Sequence, residues 1–161
     1  MSRHNMRLRY YCDMCLFTTL LLISVSFSIS GEDNSEHGDR TTLLALRDGF
    51  TSGGTPPPDG SALSSWNSSF HFCQWQGVTC GKRHKRVTTI RLTEQMLDGV
   101  LPPSIGNLTF LRKLDLRNNS LHGQVPEEIG RLRRLRDLYL ERNFFGGRIP
   151  VELSNCQIFK N

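Results

Sequence analysis

Beyond residue 30 the sequence contains no long apolar run. No stretch there reaches half of the roughly 20 residues that a membrane-spanning helix needs, so no span is expected after the first segment. Cysteine is scarce: two of the five, Cys12 and Cys15, lie before residue 31, and only Cys73, Cys80 and Cys156 follow. Nor is there a chemical constellation. The five histidines, the carboxylates and the remaining cysteine show no nucleophile–base pairing and no metal-ligand spacing. The chain is therefore read as not an enzyme, with no cofactor and no metal. Charge of one sign is also lacking. The formal net charge of +5 owes part of its excess to Arg3, Arg7 and Arg9, set against Asp13; without the first thirty residues 17 basic groups face 14 acidic ones. A balance this mild gives no reason to infer a nucleic-acid partner.

What is present begins with a targeting segment. The three arginines are followed by an apolar stretch from Leu16 to Ile29, densest at Leu20–Ile23, and by the small residues Ser28 and Ser30. That order reads as a secretory signal over residues 1–30, cleaved before Gly31, and its length argues against the competing reading of a retained anchor. Cys12 and Cys15 form a CxxC, but they fall upstream of the cut and are set aside as a site. In an oxidising compartment a disulfide is the default for a close cysteine pair, and Cys73 and Cys80 are seven apart with Gly77 between them. Cys156 is left over, at a position equivalent to Leu108 and Leu132, and is read as a small buried hydrophobe.

The fold follows from self-similarity. Val87, Leu111 and Leu135 are spaced by 24, as are Ile90, Leu114 and Leu138, and Leu92, Leu116 and Leu140. The register continues through Leu97, Leu121 and Phe145, through Gly99, Gly123 and Gly147, through Pro102, Pro126 and Pro150, and closes with Ile105, Ile129 and Leu153. The pattern is LxxLxLxxNxLxGxIP. Its LxL part alternates apolar and polar residues, which marks a short strand with one buried face. Asn119 and Asn143 follow the strands, where an inward amide satisfies backbone groups at the turn and stacked copies form a ladder. The glycine allows a turn, and the proline presets the backbone. No copy buries its apolar face alone, and about three are the minimum for stability. The chain has three, 87–110, 111–134 and 135–158, with a fourth beginning at 159–161. In the first, Gln95 replaces the asparagine, which is read as relaxed terminal geometry. Residues 39–50 look helical, with Asp39 as cap and Leu43, Leu46 and Phe50 on one face. A loop with Gly53, Gly54 and Pro56–Pro58 ends it, and Trp66, Phe70, Phe72 and Trp75 cluster around Cys73. This segment would cover the first repeat.

These residues resemble a known family. D-R-T-T-L-L-A-L-R from Asp39, W-N-S-S-F-H-F-C-Q-W-Q-G-V-T-C from Trp66 to Cys80, and R-V-T-T-I-R-L from Arg86 are similar to the plant leucine-rich-repeat amino-terminal cap and its entry into the first repeat. S-I-G-N-L-T-F-L from Ser104 and L-S-N-C ending at Cys156 resemble plant receptor-like kinases of the immune-receptor type. The resemblance implies an α/β leucine-rich-repeat solenoid: a parallel β concave face, an irregular 3-10 convex face and, over residues 31–86, a helical, disulfide-stapled cap. It implies an extracellular recognition module for a protein or peptide ligand, with a co-receptor ectodomain as a further partner. In that family a membrane helix and a kinase follow the repeats; this chain is expected to be a truncated form without either. A truncated gene, an alternative transcript or a fragmentary gene model would each give such a chain. It would be apoplastic, or held at the plasma membrane if a full-length form carries the anchor. The alternative is a self-sufficient secreted protein, such as an inhibitor of microbial wall-degrading enzymes, which usually closes with a carboxy-terminal cysteine cap that this chain lacks.

Several residues are singled out as sites. Asn67, Asn107 and Asn118 each open an N-x-[ST] acceptor, with Asn118 the least accessible. Strand alternation and the 24-residue register set up columns on the concave face: Thr89, Lys113, Asp137; Arg91, Asp115, Tyr139; Thr93, Arg117, Glu141; and Glu94, Asn118, Arg142. Opposite charges would pair between strands as Lys113–Asp137, Arg91–Asp115 and Arg117–Glu141. Asp115 and Glu141 are read as surface pairing groups and not as an acid–base couple. Tyr139 and Arg142, with Arg117 and Glu141, form the candidate partner-binding surface, because tyrosine and arginine are the types most common at binding hot spots. The run Lys82–Arg86 reads as a solvated hairpin. In the last repeat Leu138, Leu140, Phe145, Ile149 and Leu153 are expected to face water. Amino-terminal sequencing of the secreted protein should begin close to Gly31; Cys12 or Cys15 in the mature chain would overturn the signal reading.

Overall fold

The computed structural model describes residues 34–51, 56–57, 59–67 and 69–159. The cleavage point, the Cys12–Cys15 pair and the loop residues Gly53, Gly54 and Pro58 lie outside the described residues. Helix α1, Asn34–Gly49, buries Leu43 and Leu46, with Phe50 just beyond it, as the helical spacing of these residues requires. It starts five residues before the expected Asp39, and Asp39 is not its cap. The Asp39 carboxylate is 1% exposed and accepts hydrogen bonds from Arg86 Nε (2.9 Å), Arg86 Nη2 (2.8 Å) and the Val87 N–H (2.8 Å). Three donors from the start of the first repeat outweigh the one or two amides that a capping position would offer. The Asp39 carboxylate thus joins α1 to Arg86 and, through the Val87 N–H, to the start of the first repeat.

The rest of the cap follows from its aromatics and its disulfide. Trp66, Phe72 and Trp75 are buried; the two tryptophan rings stack with centroids 5.6 Å apart, and Trp66 Nε1 donates to the Gln76 carbonyl. Phe70, expected in this cluster, is 61% exposed, because Phe72 takes the core position on the following 3-10 turn, Phe72–Gln74. Cys73 is bonded to Cys80, and Gly77 between them has a φ of +80°, in the left-handed region open to glycine. Strand β1, Val78–Cys80, then runs antiparallel to β2, Val87–Arg91.

From β2 onward the sheet is parallel. β3, Lys113–Asp115, and β5, Asp137–Tyr139, complete a four-stranded sheet in the order β1-β2-β3-β5. Its partners are 24 residues apart throughout: Thr89, Lys113 and Asp137; Ile90, Leu114 and Leu138; Arg91, Asp115 and Tyr139. A second, two-stranded parallel sheet pairs β4, His122–Gln124, with β6, Phe144–Gly146. The 3-10 turns Pro103–Asn107, Glu127–Arg131 and Val151–Asn155 begin immediately after Pro102, Pro126 and Pro150 and close each coil. The landmark glycines divide by cause. Gly123 and Gly147 have φ near +80°. Gly99 does not; a Cβ there would lie 2.2 Å from the Gly49 carbonyl oxygen, so its role is to let the end of α1 approach.

Val87, Ile90, Leu92, Leu97, Leu111, Leu114, Leu116, Leu121 and Leu135 form one stacked core. At its far end Leu138, Leu140 and Phe145 are half-buried and Ile149 is 79% exposed. Leu153 departs from expectation at 6% exposed, because Cys156 and Ile158 pack on the same core.

The amide ladder holds the coils in register. Asn119 Nδ2 donates to the carbonyls of Leu92 (2.7 Å), Leu116 (2.9 Å) and Arg117 (3.1 Å), and its Oδ1 accepts from the N–H groups of Gln95 and Leu97. Asn143 repeats the arrangement one coil on, donating to Leu116 and Leu140 and accepting from Leu121. Gln95 is not relaxed: its longer arm lets Oε1 accept from the Ala62 N–H of the cap at 2.6 Å, while Nε2 donates to Thr93. Asn119→Ala strands several buried backbone groups and is expected to lower unfolding free energy by about 3 kcal/mol or more, against about 1–2 for Gln95→Ala. Urea denaturation of both variants checks the ranking.

Candidate functional site

Side chains alternate along the strands, so residues two apart share a face. On the concave face this brings Asp115 beside Arg117 within one coil. Asp115 is 1% exposed, and its carboxylate is gripped by Arg117 Nε (2.8 Å) and Nη2 (2.7 Å), with Thr93 Oγ1 donating at 3.0 Å. The sequence reading placed Asp115 in the open, paired with Arg91. The fork of a guanidinium two residues further along the same coil matches both carboxylate oxygens, and that geometry wins over the neighbouring strand. The Arg117 hydrogen bonds hold the Asp115 carboxyl below its ordinary value against the opposing effect of burial, and Asp115 raises Arg117.

Arg117 has two further neighbours. Its Nε lies 3.8 Å from Glu141 Oε1, the expected cross-strand pair, and its Cζ sits 4.7 Å from the Tyr139 ring centroid. Lys113 does not pair with Asp137 within 4.0 Å; its Nζ lies 4.9 Å from the same Tyr139 ring. A half-buried tyrosine beside two cations gains cation–π attraction from each, which favours this orientation of its ring. Beyond the strands runs a polar row: Asn118 Nδ2 donates to Glu94 Oε1 (2.9 Å), and Arg142 Nη1 donates to Asn118 Oδ1 (3.4 Å). Glu94, Asn118 and Arg142 all have left-handed backbones, with φ of +59°, +56° and +57°. The structure therefore brings Tyr139, Arg117 and Glu141 together, with Arg142 next to them through Asn118. These groups present hydrogen-bond donors, acceptors and one oriented ring. Among the described residues no group of three or more His, Cys, Asp and Glu side chains could hold a metal.

The three glycosylation acceptors differ in setting. Asn67 and Asn107 are exposed, in the cap and at the end of a convex 3-10 turn. Asn118 is half-buried with its amide committed to Glu94 and Arg142, so a glycan there would break the polar row.

Two family profiles match the chain: the leucine rich repeat N-terminal domain over residues 36–81 and the leucine rich repeat over residues 85–145. The chain belongs to the leucine-rich-repeat proteins. Among curated relatives, this leucine-rich-repeat chain is 57% identical over 58 residues to the LRR receptor-like serine/threonine-protein kinase EFR of Arabidopsis thaliana, covering 36% of this chain and 6% of the kinase. It is 41% identical over 88 residues to the receptor kinase-like protein Xa21 of Oryza sativa subsp. japonica, covering 51% of this chain and 8% of that protein. Among solved structures, the ectodomain of the Arabidopsis receptor kinase HAESA, in complex with an extended IDA peptide hormone, superposes with a TM-score of 0.63 at 29% identity over 78% of this chain and 20% of that one. The leucine-rich-repeat chain spans 6% to 11% of the length of the first three curated relatives. No helix among the described residues is long and apolar enough to cross a membrane.

Sequence reasoning missed Lys113 as the second cation on Tyr139 and Arg117 as the partner of Asp115. The i, i+2 spacing of Asp115 and Arg117 could have shown the latter. Because its folded pKa is lowered, the Asp115 carboxylate contributes stability that is complete above its unfolded value near 3.8 and is lost as pH falls through the lower folded value. The urea midpoints of the protein and of Asp115→Asn should therefore differ at neutral pH and converge as the solution is acidified below about 4.

Proposed function

We propose that the chain is an extracellular recognition module of the receptor-kinase ectodomain type, with residues 31–86 as cap and 87–158 as three repeats. It binds a protein or peptide ligand on its concave face, through Tyr139, Arg142, Arg117 and Glu141, and acts by binding and not by catalysis. Entry to the secretory route through residues 1–30, glycans at Asn67 and Asn107, and a co-receptor ectodomain as second partner belong to the same reading.

The observation that supports it most is the Tyr139 ring. Arg117 and Lys113 both lie against it, 4.7 and 4.9 Å from its centroid, on a sheet face that is otherwise polar. A tyrosine whose rotamer is set before binding loses little entropy on contact, which is what makes such residues hot spots. The neighbouring polar row supplies donors and acceptors for a main chain lying across the strands. Likeness to the HAESA ectodomain solved with a peptide hormone and the co-receptor SERK1 supports the ligand class. The inhibitor alternative gains no such support.

The probes are an apoplastic peptide fraction and the SERK1 ectodomain, presented to the secreted chain and to Tyr139→Ala. Binding by the three-repeat chain is expected to be weak, and Tyr139→Ala should weaken it at least about tenfold, equivalent to about 1.4 kcal/mol. Binding that is tight and indifferent to Tyr139→Ala would move the ligand to another face.

A further inference from the structure

The edge where the chain enters each strand carries arginines that the concave face does not use. Arg112 precedes β3 and Arg136 precedes β5; the two backbones abut through the Arg136 N–H, which donates to the Arg112 carbonyl at 2.8 Å. Phe110, two residues before Arg112, is a platform where the cap and the first two repeats meet. The guanidinium carbon of Arg134 lies 4.0 Å from its ring centroid and that of Arg86 lies 4.6 Å away, with the His84 ring centroid at 6.3 Å. This places the β1–β2 turn, with exposed Lys82, Arg83 and Lys85, beside Arg134.

These cations divide into two groups. Arg86 is engaged by Asp39, and Arg136 donates from Nε to Gln157. Arg112, Arg134, Lys82, Arg83 and Lys85 have no carboxylate within 4.0 Å among the described residues. Asp137 is the one exposed carboxylate at the start of β5, and Glu127, Glu128 and Glu152 line a separate cleft with Arg131 and Arg133 on the convex side. A row of cations held near one another without counter-charges repels itself, at a cost to the fold, and binds an anion that bridges them.

We infer that this strand-entry edge binds a linear carboxylated polysaccharide, a polyuronate, with Arg112 and Arg134 as the main contacts. The chemistry of the edge selects this occupant. Protein partners need apolar anchors that become buried at the centre of the contact; the one aromatic here, Phe110, is already covered by two guanidiniums. A polyuronate needs no anchor. It offers one carboxylate per sugar along an extended chain, and the edge offers Arg112 just before β3 and Arg134 three residues before β5, each with a guanidinium fork able to take a carboxylate by two parallel hydrogen bonds. The proposal concerns a face that the Tyr139 reading leaves free, so either can fail alone.

The test uses the whole secreted chain and a de-esterified polygalacturonate oligomer, with affinity measured at two salt concentrations. Binding should weaken at the higher salt, and Arg112→Gln/Arg134→Gln should weaken it at least about tenfold at the lower salt, with a shallower salt dependence. Arg91→Gln/Arg148→Gln removes the same charge from other faces and should leave affinity within about twofold, since screened charges act locally. Circular dichroism melts show whether the Arg134 change disturbs the Phe110 platform; if it does, Arg112→Gln alone, whose side chain packs on no ring among the described residues, carries the test and should still lose affinity. Equal loss in both double variants would reduce the effect to net charge and overturn the site. Tighter capture of poly-glutamate than of polygalacturonate would overturn the ligand class. Loss of the polygalacturonate interaction in Tyr139→Ala would show that the concave face is the binder.

Discussion

One amide, that of Asn119, ties three levels of the molecule. It spans the coil before it and the coil it belongs to, donating to carbonyls at Leu92 and Leu116 and accepting from amides at Gln95 and Leu97. The backbone at that point is leaving the sheet and has no strand partner, so without the side chain its polar groups would be buried and unmet. Because the bonds cross from one coil to the next, they also set the register. The 24-residue offset of the β2–β3 and β3–β5 pairings, and the columns that make the concave face, follow from this constraint.

The ends of such a ladder are the difficult places, and the N-terminal one is solved by exceptions to the repeat. Gln95 stands where the repeat would have asparagine and reaches the Ala62 amide of the cap, a span the shorter side chain would not cover. Asp39 closes the other side of the same junction by meeting Arg86 and Val87. Removing one partner of a buried pair costs about 3–5 kcal/mol, so this join is sensitive to change on either side. Periodicity made the coils legible, down to which residues share a column. It could not reveal these contacts, because Asp39 and Arg86 are 47 residues apart and stand outside the repeat.

The same distinction holds on the concave face. Tyr139, Arg117 and Glu141 were legible as neighbours because column membership is a matter of counting. Which cation goes where was not, since each charged side chain had several partners within reach. Arg117 takes the Asp115 carboxylate in place of Arg91 because the fork fits, and Lys113 lies against the ring of Tyr139 instead of pairing with Asp137. The face therefore has its charges largely spent internally, while the strand-entry edge keeps them unspent. A single sheet thus offers two surfaces of different chemistry, one suited to shape and hydrogen bonding and one to charge.

The long reach of Asp39 has a consequence for synthesis. The coils join residues 24 apart, and each closes soon after it leaves the ribosome. The cap cannot, since its buried carboxylate waits for Arg86 and Val87, and its Gln95 contact comes later still. The segment made first is completed only once the first coil exists, and until then α1 carries an exposed acid and an unpaired apolar face. Vectorial growth and structural order run in opposite directions here: the segment synthesised first has its packing completed by residues synthesised after it.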